Sequence, residues 1–117
     1  CVLDLKHFRR FMDMINDRGL TDRVAVLAGV MPIKSARMAR YMQRNVAGMM
    51  VPDELCERLE AAADVEKEAI DIVVEQIAEV KEIPGVKGVH IMAVAWEEVV
   101  PEIVRRAGLY PRPVVND

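Results

Sequence analysis

At 117 residues and 13.2 kDa the chain holds a single domain at most. Hydrophobic residues make up 52% of it, which supports a packed core and excludes a disordered chain. With 4% aromatics and a net charge of −3 it is a poor nucleic-acid binder, and no apolar run approaches the roughly 18–20 residues of a membrane span.

The chain opens on Cys1, with no signal-peptide pattern, and reads as a processed chain or as part of a longer one. Two cysteines, Cys1 and Cys56, make no disulfide framework, so a reducing cytoplasm is expected. Neither stands at zinc-site spacing from His7 or His90. Residues 1–50 carry nine Lys/Arg against four acids, and residues 51–117 carry seven against fifteen. Such asymmetry marks either an anionic ligand near the first half or differently solvated helix faces.

Cys1-Val2-Leu3 reads as the tail of a strand. Asp4 is an N-cap, after which Leu5, Phe8, Met12 and Ile15 recur at helical spacing until Gly19. Val24–Ala28 is an apolar run with no polar partner on either face, as in a parallel strand covered by helices on both sides. Gly29 and Pro32 break it, and Lys34-Ser35 starts a helix. In that helix Met38, Tyr41 and Met42 form an apolar stripe, while Lys34, Arg37, Arg40 and Arg44 share the other side. Arg40 and Arg44 read as a solvated basic face.

Pro52 suits the first position of the next helix, with Asp53 and Glu54 at its positive end and Leu55 and Leu59 buried. After a break at 61–64, a longer helix buries Val65, Ala69, Ile72, Val73, Gln76, Ile77 and Val80, and Ile83-Pro84-Gly85 ends it. A second strand is expected over Val89–Val94. Trp96-Glu97-Glu98 follows as a loop. Pro101 stands in the first turn of the last helix, because deeper inside it would cost about 3 kcal/mol. That helix stops at Gly108, and Tyr110-Pro111-Arg112-Pro113 reads as an extended tail.

Two strand–loop–helix units make this an α/β protein. Ligands of such folds sit beyond the carboxyl ends of the strands, which points to Gly29–Ser35 and Ala93–Glu97. Two parallel strands cannot hide their own edges, so the chain is expected to close a larger barrel.

The order DLKHFRRFM, VLAGVMPIKSARMARYM, VPDELCERLE and GVKGVHIMAVAWEEVVPEIVRRAGL resembles the C-terminal part of methylenetetrahydrofolate reductase. Ala28-Gly29-Val30-Met31-Pro32 and Gly85-Val86-Lys87-Gly88-Val89-His90 are its most specific pieces. The resemblance implies a fragment of a (β/α)8 TIM barrel, with the end of strand six at Cys1–Leu3, strand seven at Val24–Ala28 and strand eight at Val89–Val94. It implies reduction of 5,10-methylenetetrahydrofolate to 5-methyltetrahydrofolate by reduced FAD, which is bound mainly by earlier strands along with the acidic catalytic residues. Residues 1–117 alone are then expected to be inactive.

By the same resemblance Gly29, Met31, Lys34, Met38 and Trp96 line the folate side. Lys34 and Arg37 attract the folate's glutamate. Ala36 stands where many members carry an aromatic that stacks on the folate, a part left to Met38 or Tyr41. Trp96 packs on ligand or flavin, or lids the core. It takes the place of an arginine of NADH-dependent bacterial relatives, which brings ferredoxin or a partner flavoprotein subunit in beside NAD(P)H as the electron donor. His90 reads as a structural residue inside its strand. The chain is expected to use no nucleic acid and no membrane, and a homo-oligomer is open. The rival reading is a non-enzymatic αβ module that docks on a partner chain.

Overall fold

The computed structural model describes residues 2–109. Cys1 and the tail expected at Tyr110–Pro113 lie outside the described residues. Among the described residues five helices and two strands follow in the order α1 (Leu5–Asp17), β1 (Val26–Val30), α2 (Ala36–Asn45), α3 (Asp53–Ala61), α4 (Val65–Lys81), β2 (Val86–Ile91) and α5 (Val100–Arg106). Single 3₁₀ turns at Leu20–Asp22 and Glu97–Val99 precede β1 and α5. The α/β class expected from the sequence holds.

Three helix starts are set by local capping chemistry. The carboxylates of Asp4 and Asp64 and the hydroxyl of Ser35 accept from the backbone N–H groups of His7, Lys67 and Met38, at 3.1–3.2 Å. Each thereby satisfies a donor that the first helical turn leaves without a partner. Pro52 stands one place earlier than expected, as the N-cap of α3, where its carbonyl accepts from the N–H of Leu55 at 3.1 Å. α4 buries Ala69, Ile72, Val73, Gln76, Ile77 and Val80 as the 3.6-residue period requires.

β1 and β2 pair in parallel, with Leu27 opposite Gly88, Ala28 opposite Val89, Gly29 opposite His90 and Val30 opposite Ile91. Both strands are displaced from their expected spans, β1 by two residues toward the C-terminus and β2 by three toward the N-terminus. Val24 lies before the ladder and is 58% exposed. The backbone N–H of Val2 donates to the Gly29 carbonyl at 2.6 Å. The Val2-Leu3 stub therefore runs along the edge of β1 that β2 does not occupy.

The expectation that helices cover both sides of β1 is corrected. Val26, Ala28 and Val30, with Val89 and Ile91, face the helices and join the two buried apolar clusters. Leu27, Gly29, Gly88 and His90 share the opposite face, on which Leu27 is 60% exposed and His90 is open to solvent. A side chain added at Gly88 would meet Leu27 Cδ2 at 3.1 Å, so the leucine lies over the glycine. The result is a shallow body of 44 × 31 × 20 Å, with its helices banked on one side of the sheet.

Two arginines tie three helices together. Arg40 on α2 reaches Glu60 at 2.5 Å and Asp53 at 3.3 Å, both on α3. It is therefore part of a clamp, not of a solvated face. Arg58 on α3 bonds Glu68 and both carboxylate oxygens of Glu75 on α4. Tyr41, expected in the buried stripe of α2, is 62% exposed, because Ala39 and Met42 take the inward positions.

Candidate functional site

The carboxyl ends of β1 and β2 open into two loops, 31–35 and 92–96. They are held side by side because the ladder continues one bond past the strands, from the Met92 N–H to the Val30 carbonyl at 2.9 Å. The first loop turns inward. Met31 and Ile33 are 7% and 4% exposed, and Pro32 is buried between them. Only Lys34 points out. Its ammonium stands 5.8 Å from the centroid of the Trp96 ring and 3.9 Å from Glu66 at the start of α4.

The second loop is bent by Ala95, the one non-glycine among the described residues with a positive φ, 54°. A left-handed alanine costs about 1–2 kcal/mol, and its neighbours must hold it there. Trp96 is that anchor. It is 3% exposed within the main apolar cluster, and its carbonyl accepts from the N–H of Val99 at 3.3 Å. An indole so buried offers no open face to a planar ligand; its free energy of burial goes into the core and into seating Lys34.

Of the five residues expected to line a site, Lys34 and Trp96 are brought into contact. Met31 lies in the core and Met38 packs half-buried against it. Gly29 is on the open sheet face, opposite His90. Tyr41 lies on the outer side of α2, away from the core to which Met38 belongs.

A separate groove of about 710 Å³ runs between the starts of α1 and α3 and the side of α4, and it includes none of the five. Leu3, Leu5, Leu55 and Ile72 are among its apolar lining, with Arg9, Arg58, Glu75 and Glu79 among the charged residues. Gln76 borders it, 5% exposed, and its Oε1 has no hydrogen-bond partner. Sequence periodicity marks Gln76 as buried but cannot show that its amide is left unsatisfied there.

A family model described as methylenetetrahydrofolate reductase matches residues 1–108. The chain belongs to the methylenetetrahydrofolate reductase family. Comparison with curated proteins finds none that matches. The match spans every helix and strand described above, so the Lys34–Trp96 contact and the open sheet face are features of a reductase-family segment.

Family members generally bind flavin, and a flavin held as a dinucleotide needs a cradle for its pyrophosphate. The helix starts that follow β1 and β2 do not form one. Ser35 already caps α2, and the short helix α5 has no side-chain cap and carries Pro in its first turn. The described residues also hold no group of three or more His, Cys, Asp or Glu able to bind a metal. No described helix is long and apolar enough to cross a membrane.

Proposed function

We propose that this chain is the closing part of a larger (β/α)8 barrel that reduces 5,10-methylenetetrahydrofolate to 5-methyltetrahydrofolate. Residues 1–117 form the last staves, from the end of strand six to strand eight. FAD and the acidic catalytic groups belong to the preceding strands, and the setting is cytoplasmic. One observation supports this reading most: the sheet of a reductase-family chain is covered on one side and bare on the other. Isolated parallel sheets bury both faces, and a barrel supplies the second cover by curling the sheet on itself. Leu27 and the hydrogen-bonding edges are then interior or paired surfaces.

Within such a barrel the chain's own residues bind and orient. Gly29 has no side chain and lets a flat ring approach the sheet. Met31 and Met38 give the floor its apolar bulk, and Lys34 draws the folate carboxylate. Trp96 acts from beneath, fixing the ammonium of Lys34. Electrons arrive from NAD(P)H, ferredoxin or a partner flavoprotein subunit.

The test is to purify the full barrel, determine its flavin content and assay methylenetetrahydrofolate reduction. A protein that lacks flavin and takes none up defeats the proposal. Leu27→Asp supplies a second check. It should destabilise the full barrel by about 3 kcal/mol or more, because it buries an unpaired charge. Equal stability of variant and parent would remove the barrel closure.

A further inference from the structure

We propose that the groove between α1, α3 and α4 is a binding site for a short, extended apolar peptide with free ends. The peptide's ammonium sits at Glu54, its carboxylate at Lys6, and one of its peptide units pairs with the amide of Gln76.

Each of the three helices walling the groove holds one uncommitted polar group. Other charged residues of the lining are engaged: Arg9 faces Glu79 at 3.5 Å, and Arg58 bonds Glu75. Lys6 on α1 and Glu54 on α3 are exposed, and among the described residues they hold neither an ion pair nor a side-chain hydrogen bond. Gln76 on α4 is the third. It is 5% exposed, and its Oε1 has no hydrogen-bond partner. Gln76, Leu55 and Ile72 also border a small void of about 10 Å³, whose other walls, Met31, Ile33, Leu59, Ala69 and Val73, are apolar. A space of that size is at the lower limit for one water, and a water needs roughly two to four polar partners, where this void offers Gln76 alone. The amide is therefore unmet in the free protein. A half-turn about its last side-chain bond, a soft torsion, carries Oε1 to the groove side.

The ligand chemistry follows from these three groups. A side-chain amide sets an acceptor and donors side by side, and so does each residue of an extended peptide, whose N–H and C=O point the same way. The two pair reciprocally, as neighbouring strands do. Leu3 and Leu5 on one wall, with Leu55 and Ile72 on the other, take apolar side chains. Five acids against three cations line the groove, which disfavours a net anion such as a phosphate ester, whereas a zwitterion brings its own balance. A volume of about 710 Å³ falls within the rough 300–1,000 Å³ range of small-ligand sites and admits a tripeptide about 10 Å long.

Titration calorimetry of the full barrel with trileucine at low salt is the test. Saturable one-to-one binding is expected. Blocking both ends of the peptide with acetyl and amide groups should weaken it about fivefold, the share of two exposed charge pairs. Gln76→Leu keeps the bulk and removes the amide, and it should weaken trileucine about tenfold by leaving a peptide unit unpaired. Absent binding, or binding to which the blocked ends or Gln76→Leu make no difference, overturns the proposal. Heat of binding needs no turnover, so the result stands whether or not the barrel reduces a folate.

Discussion

Gly85 carries the sharpest stability prediction, because two costs fall on one position and a control separates them. Its φ is +91°, and a Cβ there would lie 2.6 Å from Thr21 Cγ2, 2.7 Å from Asn16 Oδ1 and 3.1 Å from Met12 Cε. Asn16 is the link between α1 and this turn. Its Nδ2 donates to the Pro84 carbonyl at 2.8 Å, and its Oδ1 accepts from the Thr21 hydroxyl at 2.8 Å. Gly85→Ala therefore adds left-handed strain of about 1–2 kcal/mol to the disturbance of two hydrogen bonds, each worth about 1 kcal/mol. The expected loss is about 3–4 kcal/mol. Gly48 has a similar φ of +81°, and a methyl group placed there would meet nothing within 4 Å, so Gly48→Ala should cost only the strain. Urea unfolding followed by circular dichroism measures both. Equal losses for the two variants would refute the role assigned to the Asn16–Thr21–Pro84 contact.

Other outcomes follow from single residues. Gln76→Leu should stabilise the fold by about 1 kcal/mol, since it removes a buried acceptor without a partner; a lower urea midpoint would show that the amide is satisfied after all. Ala95→Gly should be neutral or stabilise by up to about 1 kcal/mol, and Ala95→Val should destabilise by about 1–2 kcal/mol, both read in the same assay. The hydrogen bond from Arg58 holds the Glu75 carboxyl below its ordinary range. A lowered carboxylate pKa contributes stability above the unfolded value and loses it as pH falls through the folded one. The deficit of Glu75→Gln, at most about 1 kcal/mol for so exposed a pair, should thus be present at pH 7, shrink below the ordinary carboxylate pKa and vanish only below the lowered folded value. A deficit that persists there would mean the loss is one of packing. Lys34→Ala should raise KM for the folate severalfold with kcat little changed, as expected for a contact made equally in ground and transition states.

Features that depend on a few adjacent residues are legible in the sequence. Asp4 caps its helix as read, because a cap needs only the next three residues, and the buried side of α4 follows from its period. Strand limits are less legible. The apolar run extends beyond the ladder at Val24 and at Met92–Val94, and the pairing partner, not the run, decides where each strand stops. The open sheet face is hidden for a related reason: apolar side chains on both faces signal two covers, and one of them is not supplied by these residues. Arg40 reads as solvated because its partners, Asp53 and Glu60, sit on another helix. Trp96 stands out in the sequence, but whether it meets ligand or core depends on the fold of the loop around Ala95.

The arginine clamps have a mechanical consequence. Arg40 fastens α2 to α3, Arg58 fastens α3 to α4, and Lys34 leans on Glu66 where α4 begins. Charge thus links three helices in series, while the turn that leads into them touches α4 only through a loose, exposed contact. Because these links are largely exposed ion pairs, raising ionic strength slackens them together.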